Sequence, residues 1–176
     1  MLKTIHATIV FADLNGFTEL VESIKTGEYI DFIYHFRKII HSAIKRCLNK
    51  DALLYGFWGD EVKVILYSPD QEKNVTEAID FSMSIQKDWQ AETKLPFKIG
   101  IATDQITLGD FPGAVGYDIE GIPLCTARTL SKLAKQGSYS FIYLDSKSYK
   151  LVAKKYRPSF FHFNKKHKSY EIREKI

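Results

Sequence analysis

Two aspartates of the sequence stand where apolar, strand-like runs end in turns that contain glycine. Asp13 ends the run 8–12, and Asp60 comes shortly after the run 52–57. The neighbouring glycines leave room for a ligand beside each carboxylate. Either motif alone is typical of an ordinary Asx or glycine turn. Because both occur, in order and after strands, we expect the two carboxylates to meet and to bind divalent cations that handle nucleoside triphosphates.

The turn after Asp13 adds candidate phosphate ligands. If the strands before the two aspartates are neighbours, both turns emerge at one edge of the sheet, where two metal ions can bridge phosphates and acidify a hydroxyl nucleophile. The main-chain N–H groups of Leu14 to Phe17, at a helix start that Thr18 is predicted to cap, can cradle a polyphosphate. The residues expected to bind substrate here are Asn15, Gly16, Phe17 and Thr18.

Apolar periodicity predicts the elements that position these turns. Strands are expected at 5–12, 52–57, 62–67, 97–103, 105–108 and 140–144, with a terminal hairpin at 160–163 and 168–172. Helices are expected to begin at 18, to span 28–48, to open at 69–71 and run to about 89, and to span 123–135, with a loop at 109–116. The order βααββαββαβ predicts an α+β fold whose mainly antiparallel sheet is covered by helices.

Composition limits the classes of function. A chain of 176 residues, 45% hydrophobic, suits one domain over 1–176 and is too short for two ordinary domains. The net charge of +4, from 25 Lys and Arg against 21 Asp and Glu, gives no nucleic-acid footprint. Cys47 and Cys125 lack a metal-type spacing, which favours a reduced, cytoplasmic protein. No apolar segment reaches the roughly 18 residues of a membrane span, so we expect neither a span nor an anchor.

Taken together, the motifs resemble those of class III nucleotidyl cyclase catalytic domains. Residues 11–18 and 59–61 resemble the first and second metal motifs of that family. Residues 97–102 and 108–110 resemble its strand pair, and 117–135 its base-recognition strand and following helix. A diguanylate cyclase domain shares the two aspartates, but residues 117–135 fit the class III pattern. The resemblance spans about residues 5–140 and implies a ferredoxin-like βααββαβ core.

The resemblance also implies a site shared between two subunits. Two Mg²⁺ or Mn²⁺ ions would be held by Asp13, Leu14 and Asp60, facing the base-reading strand and helix of the other subunit in a homodimer. The family usually carries Asn and, four residues later, Arg on that helix, where this chain has Cys125 and Thr129.

Two alternatives could replace the usual arginine. Arg128, one residue off the expected position, could reach the α-phosphate as a catalytic cation. Lys165 or Lys166 of the terminal hairpin could serve instead, because the family commonly has a phosphate lysine there. The plainer interpretation of all three is a solvated surface.

Base selection is the second departure from the family. Gly56 occupies the position of the lysine that reads adenine, while Asp118 fits the position of the aspartate that works with it. Tyr55, beside Gly56, is expected to narrow the pocket and to favour a pyrimidine over a purine. The alternatives are a core or interface role for Tyr55 and a satisfied turn carboxylate for Asp118.

The sequence therefore predicts a standalone cyclase that converts UTP or CTP to a 3′,5′-cyclic nucleotide and pyrophosphate. In its altered pocket it resembles the pyrimidine cyclases of bacterial antiphage signalling. ATP is the alternative substrate. A degenerate cyclase fold that only binds nucleotides is the alternative from another class: loss of the usual Asn and Arg favours it, and retention of both aspartates argues against it.

Overall fold

A computed structural model of the protein describes residues 2–93, 95–112, 117–156 and 161–173. Its strands are β1 (Lys3–Leu14), β2 (Leu53–Trp58), β3 (Glu61–Leu66), β4 (Phe97–Asp110), β5 (Tyr117–Glu120), β6 (Ile142–Leu144), β7 (Phe161–Asn164) and β8 (Ser169–Ile172). Its helices are α1 (Phe17–Ser23), α2 (Thr26–Cys47), α3 (Gln71–Gln90), α4 (Ile122–Ala134) and α5 (Ser146–Tyr156). The predicted βααββαβ order of the first seven elements is confirmed.

The strands form one sheet in the order β2-β3-β1-β4-β6-β8-β7, and β5 pairs with β4. Strands β4 and β6 run parallel, whereas the other described pairs are antiparallel. The predicted α+β class with a mainly antiparallel sheet is therefore confirmed. Helices pack on both faces of this sheet, so its central strands are apolar on both sides.

The two faces of the sheet carry different helices. Val10 and Ala12 of β1 belong to a large cluster with α2, α3 and Val152 of α5. Ile9 and Phe11, which alternate with them, lie on the other face in a smaller cluster with Ala127 of α4. Asp13 follows this alternation and lies on the α4 face, so the chemistry predicted from its carboxylate belongs to that face.

Helix α4 is held unusually close to the sheet by a glycine. A Cβ atom on Gly100 of β4 would lie 2.0 Å from the carbonyl oxygen of Ala127 and 2.5 Å from the nitrogen of Ser131. No side chain fits in that space. The close approach sets the position of Arg128, which follows Ala127 on α4.

Two expectations about the elements need correction. Residues 97–110 form one continuous strand, β4, where two strands and the start of a loop were expected. Part of that loop, 113–116, lies outside the described residues, as does Phe160 of the terminal hairpin. Helix α5 was not predicted, although apolar residues at 149, 152 and 156 recur at helical spacing. Its start is also marked by Asp145, whose carboxylate accepts a hydrogen bond from the N–H of Ser148 at 2.8 Å.

No helix in the described part of the chain combines the length and the apolar character that crossing a membrane requires.

Candidate functional site

The two predicted metal carboxylates meet at one end of the sheet. Asp13 lies near the end of β1, directly opposite Glu61, the first residue of β3. Asp60 occupies the turn between β2 and β3, where Gly59 adopts a φ of 60° that residues with a side chain rarely take. The Asp13 and Asp60 side chains are close enough to share a hydrogen bond. We had expected the strands before them, β1 and β2, to be direct neighbours, but β3 lies between them.

The electrostatics of this carboxylate pair are unbalanced. Burial, followed by the hydrogen bond to Asp13 and the negative charge of Asp13, raises the pKa of Asp60 to about 7. The ammonium of Lys98 on β4 lies 2.9 Å from an Asp13 carboxylate oxygen and offsets part of that charge. Both side chains of this ion pair are mostly buried, at 16% and 26% exposure. Ionising both carboxylates at once is therefore unfavourable unless a further cation is bound.

A divalent cation fits this donor set. Mg²⁺ is usually held in proteins by one or two carboxylates, with substrate phosphates and water completing the shell. The described residues contain no group of three or more His, Cys, Asp or Glu side chains that could form an all-protein cage. Leu14 can contribute only its main chain, because its side chain is buried with α2 and α3. Asp13 and Asp60 therefore fit Mg²⁺ or Mn²⁺ that arrives with a phosphate.

The turn after Asp13 is only partly available to phosphate. The N–H of Asn15 donates to the carbonyl oxygen of Pro96 at 3.0 Å. Gly16, with a φ of 83°, occupies the N-cap position of α1. Thr18 therefore lies inside α1, and the prediction that it caps the helix is wrong. Phe17 packs its ring against α2, so its side chain belongs to the core.

Arg128 does reach the carboxylate end of the sheet. Its guanidinium lies 3.6 Å from the Glu61 carboxylate, and its side chain is 58% exposed. Because Glu61 adjoins Asp60 and pairs with Asp13, α4 brings a cation next to both candidate metal ligands. Cys125 and Thr129, at the positions of the usual Asn and Arg, are exposed.

Strand β2 presents its alternate residues to opposite faces. Gly56 and Trp58 pair with Lys63 and Glu61 on the α4 face. Tyr55 is on the other face, where its hydroxyl lies 3.2 Å from Nδ1 of His41 on α2. The prediction that Tyr55 lies beside Gly56 in one pocket is wrong, because neighbouring residues of a strand point to opposite sides.

The aromatic ring beside Gly56 belongs instead to Trp58. A pocket of about 230 Å³ is lined by Phe11, Trp58, Glu61, Lys63 and Arg128. Neither Trp58 nor Lys63 was predicted to have a role in the site. Their shared face could have been found from the two-residue turn at 59–60, which sets the hairpin register.

The remaining candidates lie elsewhere in the chain. Asp118 of β5 pairs with Gly109 of β4. Gly56 of β2 lies in the same row across the sheet as Gly100 of β4, because β3 and β1 connect the two positions. The stretch of β4 from 100 to 109 therefore separates Asp118 from Gly56. The Asp118 carboxylate accepts a hydrogen bond from the N–H of Ile119 at 2.8 Å. Exposed Lys165 and Lys166 lie in the turn between β7 and β8, at the sheet edge opposite β2. One chain does not bring these residues to the carboxylate pair.

Neither a protein-family model nor a curated protein matches this chain. Solved structures do. The adenylyl cyclase CyaB from P. aeruginosa is 22% identical with a TM-score of 0.74, covering 88% of this chain and 83% of its own. A bacterial light-regulated adenylyl cyclase is 16% identical with a TM-score of 0.80, covering 99% of this chain and 53% of its own. The guanylate cyclase domain of RhGC from Catenaria anguillulae, in complex with GTP, is 16% identical with a TM-score of 0.73, covering 99% of this chain and 100% of its own. The chain thus has the fold of adenylyl and guanylyl cyclase catalytic domains.

Proposed function

We propose that this protein is a class III nucleotidyl cyclase that converts a nucleoside triphosphate to its 3′,5′-cyclic monophosphate and pyrophosphate. The observation that carries the proposal is the convergence of Asp13 and Asp60, with a pKa of about 7 for Asp60, at one end of a cyclase-type sheet. Two carboxylates that resist ionising together without a further cation suit a polyphosphate that arrives with divalent cations.

In the proposed reaction, the 3′-oxygen of the ribose attacks the α-phosphorus while its proton passes to a water molecule. The bond from the α-phosphorus to the oxygen that bridges to the β-phosphorus breaks, and pyrophosphate leaves with that electron pair. Two bound Mg²⁺ or Mn²⁺ ions would acidify the 3′-hydroxyl and neutralise the charge that develops on the phosphates. Asp13 and Asp60 would hold these ions together with the Leu14 main chain. Arg128, next to Glu61, would place its guanidinium at the α-phosphate.

We further propose that the active form is a homodimer. Asp118, Lys165 and Lys166 lie too far along or across the sheet to join the carboxylate pair of their own chain. A second copy related by a two-fold axis would bring them to it, and each interface would then form two equivalent sites. The proposal thus accounts for residues that one chain leaves dispersed.

For the substrate we propose UTP or CTP, made into a signal for antiphage defence. The support for a pyrimidine is the absence of a lysine at Gly56 and the bulk of Trp58 beside it. A site that lacks the group pairing with adenine discriminates poorly in favour of ATP. ATP is the second candidate substrate. A nucleotide-binding module without turnover is the second candidate function, favoured by Cys125 and Thr129 at the positions of the usual Asn and Arg.

The test is to incubate the purified protein with an equimolar mixture of ATP, GTP, CTP and UTP and either Mg²⁺ or Mn²⁺, and to resolve the products by mass spectrometry. We expect cyclic UMP or cyclic CMP as the main product, released with pyrophosphate. Cyclic AMP or cyclic GMP as the main product would contradict the pyrimidine preference and leave the cyclase proposal standing. Absence of every cyclic nucleotide, with the nucleotides still bound, would support the binding module.

A further inference from the structure

The two tryptophans of the chain have opposite environments. Trp89 is fully buried between α2, α3 and the sheet. Trp58 is 57% exposed, although a large aromatic ring normally gains free energy by burial. It lies at the end of β2 on the α4 face and lines the 230 Å³ pocket. An exposed ring that walls a pocket is placed to receive a flat, apolar partner.

Trp58 also fills the space that Gly56 leaves open. A Cβ atom on Gly56 would meet Cζ3 and Cη2 of Trp58 at 3.1 and 3.2 Å, closer than most real Cβ contacts. A larger residue at position 56 would therefore displace the indole. The glycine and the tryptophan form one unit, in which the ring covers the strand where a longer side chain would otherwise stand.

Lys63 completes this wall of the pocket. It lies opposite Gly56 on β3, and its ammonium is 4.7 Å from the centre of the Trp58 ring. A cation over an indole is held by the ring electrons, which limits where the ammonium can point. The nearby carboxylate of Glu61 faces the guanidinium of Arg128. Lys63 is therefore a hydrogen-bond donor fixed at the pocket wall, since an ammonium only donates.

We infer that Trp58 and Lys63 are the residues that read the base: Trp58 stacks on it, and Lys63 donates a hydrogen bond to one of its carbonyl oxygens. The inference rests on the proposed function, because it assumes a nucleotide whose phosphates are bound at a carboxylate pair of the dimer. It names a specificity pair that differs from Tyr55, Gly56 and Asp118.

The chemistry of this pair selects among the four bases. Uracil and cytosine each carry a carbonyl oxygen on a single ring, whereas adenine has no carbonyl at all. Guanine has one carbonyl but two fused rings. Pockets for whole ligands usually measure about 300–1,000 Å³, so a space of about 230 Å³ suits one part of a nucleotide. The pair therefore favours a pyrimidine, with adenine the least suited base.

The first experiment uses Trp58 as its own reporter. α,β-Methylene UTP cannot release pyrophosphate, so it can be titrated without turnover in the presence of Mg²⁺. We expect it to quench the tryptophan emission of the wild-type dimer, because a stacked base contacts Trp58 while Trp89 stays shielded. Trp58→Phe should retain binding, measured by calorimetry, and lose the quenching. Quenching that is unchanged in Trp58→Phe would overturn the inference.

The second experiment measures selectivity. Trp58→Ala should weaken α,β-methylene UTP binding about tenfold, the scale of one base–aromatic stack. Lys63→Ala should lower the UTP-to-ATP ratio of affinities about tenfold, and Lys63→Arg should keep it. Tyr34→Ala and Lys38→Ala, at exposed positions on α2, are the matched controls and should change neither value. Equal losses for all four nucleotides, together with a smaller mass in solution, would show that Trp58 is an interface residue and would overturn the inference.

The outcomes separate this inference from the proposed function. Cyclic nucleotide production with no effect of Trp58→Ala or Lys63→Ala on base selectivity leaves the cyclase proposal intact and refutes the base readers. Quenching and selective binding of α,β-methylene UTP without any turnover refutes the cyclase proposal and supports the base readers. Each result thus bears on one claim at a time.

Discussion

The carboxylate end of β1 to β3 and the segments that carry Asp118, Lys165 and Lys166 are organised in opposite ways. In the first region, adjacent strands and a two-residue turn gather Asp13, Asp60 and Lys98 within a single chain. In the second, the residues are spread over β5 and a hairpin at the far edge of the sheet. In the proposed homodimer, each chain would contribute one assembled half of a site and the dispersed parts of the other.

This division explains why the two regions differ in electrostatics. At the carboxylate end, like charges lie together and the pKa of Asp60 is raised to about 7. Lys165 and Lys166 of the terminal hairpin are exposed to solvent. A strongly raised carboxyl pKa is typical of a site where a bound ligand supplies a compensating positive charge.

The largest effect should come from the carboxylates. Asp13→Asn or Asp60→Asn should each lower kcat by roughly 10³-fold or more, because several kcal/mol of charge stabilisation depend on the bound ions. Product formation per dimer, measured by mass spectrometry, gives the loss. Asp104 of β4 lies away from this end and forms an ion pair with Lys147 of α5. Asp104→Asn is therefore the control and should stay active. Near-normal turnover in a folded Asp13→Asn or Asp60→Asn protein would remove the carboxylate end from the mechanism.

Lys98 tests how the assembled half is held without metal. Lys98→Met should lower the stability of the EDTA-treated protein by about 1–2 kcal/mol, since it leaves the Asp13 carboxylate without its nearest cation. That corresponds to a Tm decrease of roughly 2–8 °C for a chain of this size. Added Mn²⁺ should raise the Tm of the variant more than that of the wild type. Lys147→Met, which breaks a more exposed pair, is the control; equal Tm values for both variants would contradict the account.

The raised pKa of Asp60 predicts a smaller effect that depends on pH. The folded protein keeps a proton on Asp60 up to about pH 7, whereas the unfolded chain loses it near the ordinary carboxyl pKa of 3.8. The free energy of unfolding therefore falls as pH rises from about 4 to 7, and the loss is complete above the folded pKa. In EDTA, we compare the Tm of Asp60→Asn with that of the wild type at two pH values. The Tm of the variant minus the Tm of the wild type should be a few degrees larger at pH 8 than at pH 5. A difference that is constant with pH would show that the pKa of Asp60 is not raised in the folded protein.

Much of the carboxylate end could be predicted from the sequence, because local patterns specify it. The apolar run before Asp13 and the Gly59-Asp60 turn each reveal a strand end. What the pattern could not show was the order of the strands, and so β3 between β1 and β2 was missed. Lys98 was missed as well, since a single lysine on a strand has no signal of its own until its neighbour is known.

The proposed base-reading residues, Trp58 and Lys63, were harder to predict for a physical reason. Tyr55 and Gly56 are adjacent in sequence but lie on opposite faces of β2. A family position alone suggested Tyr55, whereas the period of two along a strand points to Trp58. The prediction that Thr18 caps α1 was wrong because the helix begins earlier, after Gly16 with its positive φ. Alternation and turn register therefore deserve equal weight with motif position.

The most direct test of the central claim is to mix two inactive proteins. The first is Asp13→Asn, which damages the assembled half. The second combines Asp118→Ala, Lys165→Ala and Lys166→Ala, which damages the dispersed half. Random pairing makes about half of the dimers mixed. If the halves meet between two copies, each mixed dimer has one intact site and one damaged site. Activity should then return to about a quarter of the wild-type value. No recovery, in a mixture shown by differently tagged chains to contain mixed dimers, would contradict the account.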